Sequence, residues 1–150
     1  MEIGVWLTPF GDGDLHIINT KWGSSDWSIE YADGKRYELK NEFQTGNSDL
    51  IVTVFHIDTE SVFEIIFDDV GAYRLLDEHG LTELWESGKV KSNCFKVKEH
   101  GWSQESPLSF FMHSKDGWSY LISTGDECVE VVSTSEPQIV FKQKVTATYV

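Results

Sequence analysis

Apolar residues in this chain alternate with polar ones in short runs, and almost every run is broken by glycine, proline, aspartate or asparagine. A period of two sends alternate side chains to opposite faces of an extended backbone, so each run predicts a half-buried β-strand. Ile3, Val5 and Leu7 form the first apolar face, with Trp6 opposite it; Pro9 and Gly11-Asp12-Gly13-Asp14 end that strand. Leu15 to Ile18 is a second short piece. Ile29 and Tyr31, then Tyr37 and Leu39, flank Asp33-Gly34, the residue pair that a type I′ hairpin turn prefers. Gly46-Asn47-Ser48-Asp49 reads as a turn. Leu50 to Ile57 and Val62 to Phe67 read as a well-buried pair joined at Asp58-Thr59-Glu60-Ser61. Ala72 to Leu76 is closer to strand than to helix. Cys94 to Val97, Cys128 to Ser133, Ile139 to Phe141 and the tail Val145, Ala147, Tyr149 continue the pattern. Phe110 to His113 and Trp118 to Ser123 predict another hairpin around Lys115-Asp116-Gly117.

One segment has the other period. Leu81, Leu84 and Trp85 stand at i, i+3 and i+4 within Glu78 to Ser87, with Asp77 placed to cap the start and Gly88 the end. The expected fold is mainly β (α+β): an antiparallel sheet, curled or in two layers, with one principal helix near residues 78–87, and a single domain over residues 1–150. The expected core is Val52, Val54, Phe63, Ile65, Phe67, Leu84, Trp85, Tyr120, Ile122, Val129 and Val131. Trp118 shares the face of Tyr120 and Ile122 and is expected in the core as well.

Composition decides whether such a chain can hold a core at all. Acid-rich chains poor in aromatics bury too little apolar surface to offset chain entropy. Here 25 Asp and Glu face only 12 Lys and Arg, a net charge of −13, yet the chain also carries 6 Trp, 5 Tyr and 9 Phe. It is expected to fold around an aromatic core beneath a strongly negative surface. Such a field repels nucleic-acid phosphates and anionic lipid, and it attracts basic partners. The start, Met1-Glu2-Ile3-Gly4-Val5-Trp6, has no basic leader, no run approaches the length of a membrane span, and two cysteines make no disulfide framework. The expectation is a cytoplasmic protein with neither nucleic acid nor membrane as partner.

No residue constellation carries a specific chemistry. Asp68-Asp69, Asp77-Glu78 and Asp126-Glu127 are acid pairs at turns or caps, and adjacent acids on a strand face opposite ways. Asp12-Gly13-Asp14 starts like a calcium loop, but the position that needs glycine holds Ile17 and the twelfth, where a ligand glutamate belongs, holds Gly23. The five histidines show no metal-ligand spacing. His56 reads as a satisfied core histidine at a strand end. His113 with Cys128, and Asp126 or Glu130 nearby, is the one nucleophile arrangement a sheet could assemble, against a negative field that raises a thiol pKa. Lys91, Lys96 and Lys98 read as lysines guarding an edge strand. No cofactor and no metal site is expected.

The remaining signal is surface chemistry. Trp22, Trp27 and Trp102 sit in polar surroundings, and partly exposed tryptophans anchor partners or stack on sugars. Asp68, Asp69, Asp126 and Glu127 are exposed turn acids, placed to steer a positively charged surface. In composition the chain resembles small acidic bacterial proteins that neutralise toxins. The primary expectation is therefore a non-enzymatic interaction protein that binds a basic protein partner, in an immunity-type role, through these seven residues. The alternatives are a small-ligand or carbohydrate-binding β domain, or an enzyme centred on a carboxylate or on Cys128 and His113.

Overall fold

The computed structural model describes residues 1–23, 27–39 and 49–149, with only the backbone of Trp27, Leu39 and Glu78. The strands are β1 (Glu2–Val5), β2 (Leu15–Gly23), β3 (Trp27–Glu30), β4 (Arg36–Leu39), β5 (Asp49–His56), β6 (Ser61–Phe67), β7 (Val70–Asp77), β8 (Cys94–Lys98), β9 (Ser119–Ser123), β10 (Glu127–Ser133) and β11 (Gln138–Lys144). A 3₁₀ turn over Glu78–Leu81 leads into α1 (Thr82–Glu86), and α2 (Gly101–Glu105) and α3 (Pro107–His113) follow β8. Five strands pair in the order β1-β8-β9-β10-β7, four in the order β11-β6-β5-β2, and β3 with β4 alone. Every pairing is antiparallel. The fold is mainly β with few helices, as the alternation predicts.

The two larger sheets pack face to face. Leu50, Val52 and Val54 of β5 and Phe63, Ile65 and Phe67 of β6 meet Tyr120, Ile122, Val129 and Val131 of the opposite sheet. Alternation along β5 is strict, with Leu50, Val52, Val54 and His56 all inward. His56 is satisfied as expected: Nδ1 meets Thr59 Oγ1 at 2.8 Å and Nε2 the Asp12 carbonyl at 2.6 Å. The other face of the five-stranded sheet is covered too. Phe95, Val97, Leu121 and Cys128 form a second cluster with Leu81 and Leu84 of the 3₁₀ turn and α1. β9 is therefore buried on both faces, and so is all of β10 except its first residue. Full burial of each large side chain is worth roughly 1.5–3 kcal/mol.

Several local expectations change once neighbours are known. Val5 and Leu7 are 76% and 87% exposed, while Trp6 is in the core against Phe67 and Tyr120. Alternation holds, with the faces reversed: Ile3 packs on the outer cluster and Val5 and Leu7 follow it outward, while Gly4 meets Trp118 and Trp6 follows it to the inner face. Trp85 is half-buried, edge-on to Phe95, because Leu81 and Leu84 take the fully buried positions. β2 runs on to Gly23 through a register shift between Ile17 and Asn19. Lys96 and Lys98 lie on β8, an interior strand, so they guard no edge. Residues 145–149 leave the sheet after Lys144, where the Val145 amide bonds to the Glu60 carbonyl.

The Asp-Gly pairs divide. At Asp33-Gly34 only Gly34 has positive φ (90°), and its amide bonds to the Tyr31 carbonyl. That is a three-residue loop with a bulged glycine, not a type I′ turn. Asp116 (φ 57°) and Gly117 (φ 82°) are both left-handed between the bridged pair Lys115 and Trp118, and they do make the type I′ turn. The turn expected at Gly46-Asn47-Ser48 lies outside the described residues.

Candidate partner-binding surface

Phe110 to His113 is not a strand but the end of α3. Pro107 occupies the first helical position, where its missing N–H costs nothing. Ser114 ends the helix: its Oγ donates to the Phe110 carbonyl and accepts from the Gly117 amide at 3.0 Å. The helix buries one residue, Phe110, which stands edge-on to His100 and to Trp102. Leu108, Phe111 and Met112 occupy i, i+3 and i+4 on the opposite side and are 73%, 85% and 64% exposed. Three large apolar side chains on one outward face are rare unless something covers them.

Two contacts hold this helix on the sheet. The first is steric. A Cβ built on Gly71 would stand 2.2 Å from the His113 Cβ, so only glycine lets α3 come this close to β7.

The second is a buried polar network beneath α2 and α3. Glu130, on β10, faces outward from the sandwich with Cys128 and Val132, and its side chain is fully buried. Register places it opposite Arg74 of β7, whose Nε and Nη2 donate to Oε1 at 3.0 and 2.7 Å. Ser119 Oγ donates to Oε2 at 2.6 Å, and His100 Nε2 lies 2.6 Å from the same oxygen. A carboxylate only accepts, so His100 carries its proton on Nε2. Nδ1 is buried with no partner among the described residues. Burial pushes the Glu130 carboxyl up, but the hydrogen bond and charge of His100, the Ser119 hydroxyl and the Arg74 guanidinium together outweigh it, and the net shift is downward. The Trp102 ring covers the Arg74 guanidinium at 4.5 Å. Glu130, His100 and Arg74 line none of the cavities seen around His79, His56 or Trp118. The network holds His100, and with it the start of the helical layer, on the sheet.

The residues singled out from sequence do not form one patch. Asp68 and Asp69 make the turn between β6 and β7, two residues before Gly71, so they lie at the C-terminal end of α3. Thr134 Oγ1 donates to Asp69 Oδ2 at 2.9 Å. Burial and the charge of Asp68 raise the Asp49 carboxyl above its ordinary value. Asp126 and Glu127 are held at the β9–β10 turn by Thr124 Oγ1, beside Asp77. That is the other end of β10, roughly 20 Å away at a strand's rise per residue. Trp22 is half-exposed against Tyr73, and Trp102 lies in the helical layer. Tyr73 and Arg74 are neighbours on β7 and face opposite ways, so these two tryptophans lie on opposite faces of the sheet. The Trp27 side chain is outside the described residues.

Cys128 is not paired with His113. It is buried opposite Leu76, five residues along β7 from Gly71, hence roughly 16 Å from the histidine's end. Burial pushes the other thiol, Cys94, up to about 12. Among the described residues no three His, Cys, Asp or Glu side chains are grouped to hold a metal ion, and no helix is long and apolar enough to cross a membrane. The exposed α3 face was missed by sequence reasoning, although Pro107 followed by the spacing 108, 111, 112 was a readable helix signal. Comparison of the chain with known protein families, with curated proteins and with solved structures finds no match.

Proposed function

We propose that this protein is a non-enzymatic interaction protein that binds a basic protein partner through α3. The observation that carries the reading is the exposed Leu108, Phe111 and Met112 face, held rigid by Gly71 and the Glu130 network. Its surroundings point to the charge of the partner. Asp68 and Asp69 lie at one end of the helix, Asp116 just beyond it, and Glu105 before its start, all exposed, on a chain of net charge −13. An apolar anchor ringed by acids matches a surface with an apolar centre and a Lys/Arg rim. Masking a basic toxin in an immunity-type role is the specific form of this reading.

Capture from lysate of the source organism at low salt, by the wild type and by Phe111→Ser, tests it. Phe111 is exposed, so the variant keeps its fold. A captured basic protein that is lost with Phe111→Ser supports the reading. An acidic partner, a partner retained by the variant, or self-association that the variant abolishes overturns it.

A further inference from the structure

At the β1 side of the sandwich the inner face of the five-stranded sheet carries charge instead of apolar side chains. Alternation along β8 puts Lys96 and Lys98 on the face of the core residue Cys94. Both ammonium groups lie over the Trp118 indole, 5.2 and 4.6 Å from its centroid. The type I′ turn at Asp116-Gly117 folds Lys115 back opposite Trp118. Tyr120 follows two residues on and faces the same way, and Glu136 arrives from the segment after β10. Lys96, Lys115, Asp116, Trp118, Tyr120 and Glu136 line an open cavity of about 260 Å³.

Three features mark this corner as more than a mixed surface. Three of the chain's 12 Lys and Arg gather here although the whole chain is at −13. Lys98 meets Glu2 at 3.6 Å, but Lys96 and Lys115 have no ion-pair partner among the described residues. Tyr120 is only 6% exposed yet lines the cavity, and its hydroxyl has no hydrogen-bond partner among the described residues. Unlike Thr8 Oγ1 and His100 Nδ1, that hydroxyl is not sealed from solvent, so a ligand entering the cavity can pair with it. Burial, then the charge of Glu136, raises the Tyr120 phenol, so it stays neutral and able to donate.

We propose that this cavity binds a small acid that carries hydroxyl or ammonium donors on the side away from its acidic group. Ammonium groups only donate, so Lys96 and Lys115 match the anionic end. Carboxylates only accept, so Asp116 and Glu136 match the donors, and the Tyr120 hydroxyl serves either. A plain anion would meet two carboxylates with nothing to offer them, and a neutral sugar would leave both lysines unused. The size suits a metabolite-scale ligand, below the roughly 300–1,000 Å³ of sites for larger molecules. This site adjoins the C-terminal end of α3 and shares Asp116 with its acidic rim, but it does not depend on the apolar α3 face.

Titrations of the full chain, followed by tryptophan fluorescence and by saturation-transfer NMR, test the proposal. Glucuronate and glucose 6-phosphate probe the hydroxylated acids, 4-aminobutyrate the amino acids, and glucose and inorganic phosphate each supply one half of the pattern. At least one of the first three should bind, and which one separates a sugar source from an amino-acid source. Lys115→Gln, at an exposed position, and Glu136→Gln should each weaken that binding by about tenfold or more, the worth of a charge-assisted hydrogen bond. Trp118→Phe should remove the fluorescence change and leave the NMR signal. Binding of glucose or phosphate as tight as that of the two-featured probes, no binding by any probe, or affinity unchanged in both charge variants would each overturn the proposal.

Discussion

Glu130 shows how far a single residue can depart from what its sequence neighbourhood predicts. It stands in Cys128 to Ser133, a run that reads as an ordinary buried strand, and its carboxylate is completely enclosed. The cost of removing such a charge from water is offset only by its partners. Arg74→Met should therefore cost about 3–5 kcal/mol, because it removes one of the buried anion's three partners and leaves Oε1 without a donor among the described residues. Glu130→Gln should cost less, since the Arg74 side chain is 26% exposed and can turn to water. The Arg74→Met/Glu130→Leu double variant should be more stable than Arg74→Met alone; urea denaturation checks all three. The pH dependence has a definite sign. The folded carboxyl titrates below its ordinary value, so its stabilisation is complete above the unfolded value, about 4.3, and is lost as pH falls through the folded one. Glu130→Gln should flatten the acid limb of the stability curve, and no change in that limb would show that the network is not charged.

At the scale of elements, α3 matters most. It is seven residues long, too short to be helical alone, so packing must hold it. Gly71 is the most restrictive part of that packing. Gly71→Ala should destabilise the protein by about 1–3 kcal/mol through overpacking, and His113→Gly should recover part of the loss, measured by thermal unfolding. Full stability in Gly71→Ala would mean that α3 slides on the sheet with little resistance. The segment was misread for a physical reason. Phe110-Phe111-Met112 is apolar throughout, and such a run does not declare its period by itself. Only contact between Phe110 and the rings of His100 and Trp102 decides which side faces in.

Across the whole molecule, charge is distributed unevenly enough to give a directional test. If the α3 face docks a basic partner, association should slow steeply as salt rises, because exposed charges are screened beyond about 10 Å at 0.1 M. Neutralising Asp68 and Asp69, beside α3, should slow association more than neutralising Asp126 and Glu127 at the far end of β10. Stopped-flow association at several ionic strengths would show it. Equal effects from both pairs would mean that net charge alone steers the encounter, and a salt-independent rate would make the acidity a solubility device.

Much of the sheet structure was legible because alternation is a local consequence of strand geometry. Leu50 to His56 and Val62 to Phe67 needed no knowledge of their partners to declare their inward faces. The Asp77 cap was equally local: its side chain accepts from the His79 amide at 3.1 Å. What the chain could not declare was anything set by residues distant in sequence. Whether Val5 or Trp6 faces the core depends on which face of β1 meets the second sheet. Whether Lys96 guards an edge or faces a cavity depends on β1 pairing outside β8. Glu130 meets His100 rather than His113, and Leu108, Phe111 and Met112 face solvent, because of how α2 and α3 lie across β7 and β10. Periodicity is written in neighbours along the chain, whereas burial of a charge and exposure of an apolar face are properties of the assembled surface.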